Sequence, residues 1–162
     1  MSATTPRMVR LPTTRLTAES WKPFGTVVDP SQNELRCLGG YVYAQALPIE
    51  KAPVRLKSIN RHLDQDQMFV PTNGQPMVIL VAPAELSIES FDLEQMRAFW
   101  IDPETTFVIN INVWHTAPRG VSETVEAKAI NVQGSNWRTM SEVVNYGERF
   151  GVNVEIDLTP PV

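Results

Sequence analysis

The chain has 162 residues, a length that suits one domain with its own hydrophobic core, and we expect a single domain over residues 1–162. Its net charge of −4 gives no basic surface for nucleic acid, and no apolar run is long enough to span a membrane. A small molecule is therefore the expected partner. The single cysteine, Cys37, cannot form an intrachain disulfide, and no apolar signal segment opens the chain, so we expect a cytoplasmic protein.

Short strands that end at prolines and glycines dominate the predicted elements. In chain order these are a helix over 17–21, strands over 26–28, 41–47, 54–62, 67–70 and 77–82, a helix over 92–99, and strands over 107–115, 124–132 and 152–156. The strand 77–82 is apolar at every position, which predicts burial on both faces, and the strand 152–156 is expected at a sheet edge. This spacing predicts a mainly β fold that closes as a sandwich or a barrel of the jelly-roll type.

Two histidines, His62 and His115, are the whole histidine content of the chain, and each ends a strand-like run. Any site that uses imidazole chemistry at neutral pH must use one or both. Asn60 shares a strand face with His62, and Gln67 follows across an acidic turn that reverses the chain. A hairpin brings such residues side by side, so we expect the two histidines to meet inside one barrel. A buried histidine with only a structural role is the alternative for each.

The polar positions around these histidines have the spacing of two known motifs. Asn60, His62, Gln67 and Gly74 resemble the first cupin motif, H-x-H-x4-E-x6-G, with amides in place of one His and the Glu. Residues 110–115 resemble the end of the second, P-x-G-x2-H. The resemblance implies a cupin-like antiparallel β-barrel with two or three short helices. In metal-binding cupins these side chains hold a divalent ion. Here His62, Gln67 and His115 offer no carboxylate, so we expect at most weakly bound Ni²⁺ or Mn²⁺.

A more specific resemblance covers most of the chain through four motifs in order. Residues 16–25 resemble L-T-x-E-x-F-x-P-F-G, residues 61–71 are similar to R-H-P-x-x-x-Q-x-F-x-P, residues 92–99 resemble D-L-x-x-L-R-A-F, and residues 113–115 resemble [VT]-W-H. All four occur in the ureidoglycolate lyases, a cupin-like family that is usually dimeric. The resemblance implies a homodimer that splits ureidoglycolate into glyoxylate and urea in purine and allantoin breakdown, as a carbon–nitrogen lyase of the amidine-lyase type.

The same resemblance suggests roles for individual residues. His62 and His115 are the expected catalytic acid and base, in either order, because a base must take the hydroxyl proton and an acid must protonate the departing nitrogen. The residues expected to bind substrate are Arg61, Gln67, Asn60 and Asn110. Asn60 stands where the family has Glu, and asparagine at 110 is a second departure. Two alternatives therefore stay open: a diverged cupin that acts on another small carboxylate, and a cupin that binds a metabolite without catalysis.

Overall fold

The computed structural model describes residues 4–29 and 34–162, and within these ranges it is built almost entirely from short strands. The strands are β1 (Arg7–Leu11), β2 (Thr13–Arg15), β3 (Gly25–Val27), β4 (Val42–Pro48), β5 (Arg55–Leu56), β6 (Ile59–His62), β7 (Gln67–Pro71), β8 (Met77–Ala82), β9 (Arg97–Ile101), β10 (Phe107–Ile109), β11 (Trp114–His115), β12 (Arg119–Gly120), β13 (Lys128–Gly134), β14 (Ser141–Val144) and β15 (Val152–Ile156). A 3₁₀ helix spans Leu93–Gln95, and one α-helix, α1, spans Tyr146–Phe150.

The strands form three sheets. One has the order β3-β10-β7-β13-β4, a second has the order β14-β6-β11-β8-β9-β2 with β12 beside β8, and a small third has the order β1-β15-β5. The pairings are antiparallel except for β1 with β15 and β2 with β9. Over the described residues these ladders form open sheets and no single closed barrel. The predicted mainly β, cupin-like architecture is confirmed.

Two hydrophobic cores lie on opposite sides of the sheet that contains β8. Between this sheet and the five-stranded one, Ile79 and Phe99 pack with Phe69 and Phe107. On the other side, alternate residues of β8 and β9 pack with the small third sheet, and the members of that core include Val78, Leu80, Trp100, Trp114, Val154 and Ile156. Every residue of β8 is buried, as its uniformly apolar sequence predicted.

The two predicted helices are wrong. Residues 17–21 form one hydrogen-bonded turn, in which the Trp21 N–H donates to the Thr17 carbonyl, and Trp21 Nε1 donates to the Val108 carbonyl at 2.8 Å. In the segment 92–99, Asp92 caps only the short 3₁₀ helix, and β9 follows at once. Although these residues favour a helix, the end of the segment forms a strand, because pairing with β8 buries both faces of β9.

Several predicted strands also differ. The run 54–62 forms two strands, β5 and β6, in different sheets, and of the run 124–132 only residues 128–132 belong to a strand, β13. The run 107–115 is split into β10 and β11 by a turn, where Asn112 adopts a φ of 68°, a conformation that asparagine tolerates better than most residues. The strand 152–156 is β15, which lies between β1 and β5 and is not an edge. Its apolar residues are buried within the chain, so they provide no reason for a dimer. The homodimer itself stays a prediction.

Candidate functional site

The structure brings the two histidines together at the ends of neighbouring strands. His62 is the last residue of β6 and His115 the last of β11, and these strands are antiparallel neighbours in which His115 pairs with Asn60. The two imidazole rings have centroids 5.2 Å apart and planes at 57°. Because Asn60 and His62 are two residues apart on β6, all three side chains share one face of the sheet.

A cavity of about 170 Å³ opens beside the two imidazoles, between the two larger sheets. Its lining consists of Gln45, Leu47, Asn60, His62, Gln67, Phe69, His115, Ala117, Asn131, Gln133 and Trp137. Among the described residues that line it, none is Lys, Arg, Asp or Glu. The polar groups of the cavity are therefore neutral amides and imidazoles, set beside the apolar side chains of Leu47, Phe69, Ala117 and Trp137, and they suit a small ligand with its own hydrogen-bonding groups.

His115 is held at both ring nitrogens. Its Nδ1 lies 2.9 Å from the Val113 carbonyl oxygen, and its Nε2 lies 2.8 Å from Gln67 Oε1. Only 4% of the residue is exposed. Burial, together with a smaller effect of the neighbouring His62, lowers the pKa of His115 to about 3, while the contact with the Val113 carbonyl opposes this shift. The ring is therefore neutral at pH 7.

His62 has its proton position fixed by Ser141. The Ser141 hydroxyl donates its hydrogen to the Trp137 carbonyl, which leaves Ser141 Oγ as an acceptor for His62 Nδ1 at 2.9 Å. Nδ1 therefore carries the hydrogen, and Nε2 keeps its lone pair. Burial lowers the pKa of His62, while Gln67 and the charge of Asp64 partly oppose that effect. A neutral imidazole with a free lone pair is the form that can accept a proton.

A chain of amides leads away from His115 on the five-stranded sheet. Gln67 Nε2 donates to Asn131 Oδ1 at 2.9 Å and to Gln133 Oε1 at 3.1 Å, and Gln133 Nε2 donates to the Tyr43 hydroxyl at 2.9 Å. Sequence reasoning missed the last three residues. The signal in the sequence was partial: residues 131 and 133 are polar at alternate positions of one strand, so they share a face, but the pattern does not say which face meets the cavity.

Arg61 does not enter the cavity, which corrects its predicted role in substrate binding. Its side chain leaves β6 on the face opposite to His62 and lies over the Trp114 ring, 4.5 Å from the ring centroid. Its guanidinium pairs with Glu142 at 2.6 Å and donates to the Leu86 carbonyl at 2.9 Å. Strand alternation explains the position, because neighbouring residues of a strand point to opposite faces.

Asn110 is a second correction, because it belongs to the turn between β10 and β11 and is absent from the cavity lining. Its backbone N–H donates to the Phe24 carbonyl, and its carbonyl accepts the Val113 N–H. Within the same turn, Asp66 Oδ1 accepts the Ile111 N–H at 2.9 Å. The turn leads the chain into β11, and Asn110 does not line the cavity as predicted.

Comparisons with known proteins identify the family of this chain. The ureidoglycolate lyase family model matches residues 39–150, which is more than half of the chain and includes both histidines. The chain belongs to the ureidoglycolate lyase family. A curated relative, ureidoglycolate lyase 2 of Rhizobium meliloti (strain 1021), is 27% identical over 149 residues, covering 79% of this chain and 89% of the relative. A solved structure, a dTDP sugar isomerase from Desulfovibrio desulfuricans G20, matches 78% of this chain and 75% of its own with a TM-score of 0.44 and 15% identity.

The donor set of this ureidoglycolate lyase family member does not fit a tightly bound divalent metal. No group of three or more His, Cys, Asp or Glu side chains converges in the part of the chain that the structure describes. His115 already has both ring nitrogens in contact with protein oxygens. The amides of Asn60 and Gln67 supply no charge to balance a divalent ion. Weak binding of Ni²⁺ or Mn²⁺ stays a prediction.

A second, wider cavity of about 570 Å³ adjoins the first and shares Asn60, His62 and Trp137 with it. Its lining adds Ser58, Arg138, Ser141 and Val143. The Arg138 guanidinium lies over the Trp137 ring, 4.8 Å from its centroid. This family member thus has an exposed cation beside the entrance to a cavity whose interior is neutral.

No helix in the described ranges is long and apolar enough to cross a membrane.

Proposed function

We propose that this protein cleaves ureidoglycolate to glyoxylate and urea, as a carbon–nitrogen lyase of the amidine-lyase type in purine and allantoin breakdown. The observation that carries the proposal is the meeting of the two histidines, with ring centroids 5.2 Å apart, beside a small cavity whose polar groups are uncharged, in a chain of the ureidoglycolate lyase family. The cavity volume of about 170 Å³ suits a substrate of this size.

The reaction needs one proton to be moved, and the site contains groups able to move it. A base removes the hydrogen of the substrate hydroxyl, and the electron pair of that O–H bond forms the new carbonyl. The carbon–nitrogen bond breaks, and its electron pair leaves with the ureido nitrogen. That nitrogen then takes a proton, which yields neutral urea. The proton removed from oxygen balances the proton delivered to nitrogen.

We assign the role of base to His62. Its Nδ1 hydrogen is directed to Ser141, so Nε2 holds the lone pair, and its lowered pKa keeps the ring neutral at pH 7. Once protonated, the same ring is an acid that can return the proton to the departing nitrogen. His115 is our candidate for the second member of the acid–base pair, and in that role its Nε2 exchanges the contact with Gln67 Oε1, 2.8 Å away, for one with the substrate.

The neutral lining provides contacts for the ureido end of the substrate. Asn60 and Gln67 present amide groups to the cavity, and amides pair with the N–H and C=O groups of a urea. The carboxylate needs a cation instead. Arg138 at the adjoining cavity is our candidate for that contact, in place of Arg61, whose guanidinium is bonded to Glu142.

We also propose that residues 1–162 form one domain and that the protein is a cytoplasmic homodimer. The pairing of β1 with β15 supports the first point, because it joins the two ends of the chain in one sheet. The single Cys37 supports a reducing compartment. Dimerisation rests on the family resemblance, and sedimentation at micromolar concentration tests it: a species of 18.2 kDa alone would contradict it.

The direct experiment incubates the protein with ureidoglycolate and measures glyoxylate, after treatment with EDTA and again with added Ni²⁺ or Mn²⁺. We expect release well above the spontaneous rate in the EDTA-treated sample. An increase on adding metal would support the weak metal site. Release at the spontaneous rate in all samples contradicts the lyase. If glyoxylate then still raises the melting temperature, the protein is a metabolite-binding cupin without this activity.

A further inference from the structure

The hydrogen-bonding groups around His115 do not match those of a neutral imidazole. The Val113 carbonyl oxygen can only accept, so its contact with Nδ1 is a hydrogen bond when Nδ1 carries the hydrogen. In the structure, Gln67 directs its Nε2 toward Asn131 and Gln133, which leaves Gln67 Oε1, another acceptor, facing His115 Nε2. Both ring nitrogens thus face acceptors. A neutral imidazole has only one N–H, and burial favours the neutral ring.

The same heavy-atom positions allow a second direction. If the amides of Gln67, Asn131 and Gln133 turn by half a revolution about their last side-chain bonds, each contact in the chain is kept with donor and acceptor exchanged. Gln67 then donates to His115 Nε2, and its oxygen accepts from Asn131 and Gln133. The Tyr43 hydroxyl closes the chain in both directions, because a hydroxyl is able to donate or accept.

We propose that Asn131 and Gln133 are positioning residues that set, through the direction of the Gln67 amide, which ring nitrogen of His115 carries the proton. In the resting protein, Asn131 and Gln133 donate to the Gln67 oxygen, so Gln67 donates to His115 Nε2 and the single ring hydrogen lies on Nδ1, toward the Val113 carbonyl. The direction with Gln67 Oε1 toward His115 suits a ring that carries a hydrogen on Nε2. The chain therefore lets a buried ring change its proton arrangement without leaving an amide unpaired.

Among the described residues around His115, the polar contact of Nε2 is with this row of amides. The titratable side chain facing it from β6 is His62, with Asp64 acting on His62 from the following turn. The neighbour across from it on β8 is Val81, and the side chains from β7 and β13 are the neutral Gln67, Asn131 and Gln133. The catalytic consequence of the chain rests on the proposed function, but the proton position does not.

The test introduces a carboxylate that can only accept. Gln133→Glu, or Asn131→Asp as an independent variant, requires the Gln67 nitrogen to point away from His115 and its oxygen to point toward it. Gln45→Glu is the matched control, because it adds the same charge to the cavity lining from β4, outside the chain of hydrogen bonds. The readout is the ¹⁵N chemical shifts of the imidazoles at pH 8, assigned with His62→Ala because the chain has two histidines.

We expect His115 to carry its proton on Nδ1 in the wild type and in Gln45→Glu, and on Nε2 in Gln133→Glu and Asn131→Asp. A wild-type ring protonated on Nε2 overturns the proposal, and this result needs no variant. So does an unchanged tautomer in folded Gln133→Glu or Asn131→Asp, or the same change in Gln45→Glu. The measurement uses no substrate, so its failure is distinct from failure of the lyase assay.

Discussion

The two faces of β6 have different roles. On one face, Ile59 and Arg61 belong to the interior of the protein: Ile59 is in the core behind the sheet, and Arg61 covers Trp114 while it pairs with Glu142. On the other face, Asn60 and His62 line the cavity with His115. Because neighbouring residues of a strand point to opposite faces, residues that are adjacent in this short motif serve either the packing of the protein or the cavity.

This difference teaches how to interpret a charged residue next to a candidate catalytic histidine. Arg61 looks suited to bind a carboxylate, yet its guanidinium is only 13% exposed and is already bonded to a carboxylate and to backbone carbonyls. A cation with these partners is part of the packing. The cation that we propose for the substrate carboxylate is Arg138, an exposed residue on a loop that lines the adjoining cavity.

The largest effect on activity should come from replacing His62, on the face of β6 that lines the cavity. Replacing it in His62→Ala removes the proposed base, so we expect kcat for glyoxylate release to fall by about 10² or more, the usual scale for a positioned acid or base. The circular dichroism spectrum should stay unchanged, because the side chain lies at a cavity and not in a hydrophobic core. A fall of less than about threefold, within ordinary scatter on that scale, would remove His62 from the mechanism.

The titration of His115 should make the free energy of unfolding depend on pH. Its folded-state pKa of about 3 lies below the ordinary value of 6.5, so the unfolded chain binds the proton first as pH falls. Its contribution to stability is therefore complete above pH 6.5 and is lost progressively between pH 6.5 and about 3. At full difference the loss is about 1.4 kcal/mol per pH unit.

The variant His115→Gln has no such group. Urea unfolding at pH 6.5 and at a pH about two units lower should show that the wild type loses about 2–3 kcal/mol more than the variant, from the linkage slope. Carboxylates contribute to both proteins alike, so the difference isolates the imidazole. Equal losses in the two proteins would contradict a neutral, buried His115.

Arg138 should have the smallest effect of the three. As an exposed cation at the entrance it favours binding of the substrate carboxylate without touching the breaking bond, so Arg138→Gln should raise KM about fivefold with kcat nearly constant. Arg10→Gln is the matched control, since Arg10 is an exposed arginine that pairs with Asp157. An equal change in the control, or a loss in kcat alone, would exclude the proposed contact.

The parts of this structure that follow from local pattern could be predicted from the sequence. The apolar run of β8 predicted a strand buried on both faces. His62 and Gln67 line one cavity as expected, although the predicted hairpin between them is wrong, because β6 and β7 belong to different sheets. The family motifs identified the two histidines. These inferences succeed because side-chain alternation and turn chemistry act over a few residues.

The other features depend on contacts between distant segments. Residues 92–99 include helix formers, but the residues of β9 form a strand because they pair with β8. β15 is a central strand only because β1 and β5 flank it. The amides at 131 and 133 face the cavity, and no prediction from the sequence gave either of them a role. No local pattern reveals which side of a half-polar strand meets a second sheet.

The central claim is that β6 separates stability from chemistry, and paired measurements on Arg61→Met and His62→Ala test it most directly. Both proteins are assayed for glyoxylate release and for the free energy of unfolding in urea. Arg61→Met should lose about 3 kcal/mol, because Glu142 and two carbonyls lose their buried partner, and should keep kcat within about threefold while folded. His62→Ala should keep its stability to within about 1 kcal/mol and lose activity. Loss of activity in a folded Arg61→Met, with normal activity in His62→Ala, would contradict the account.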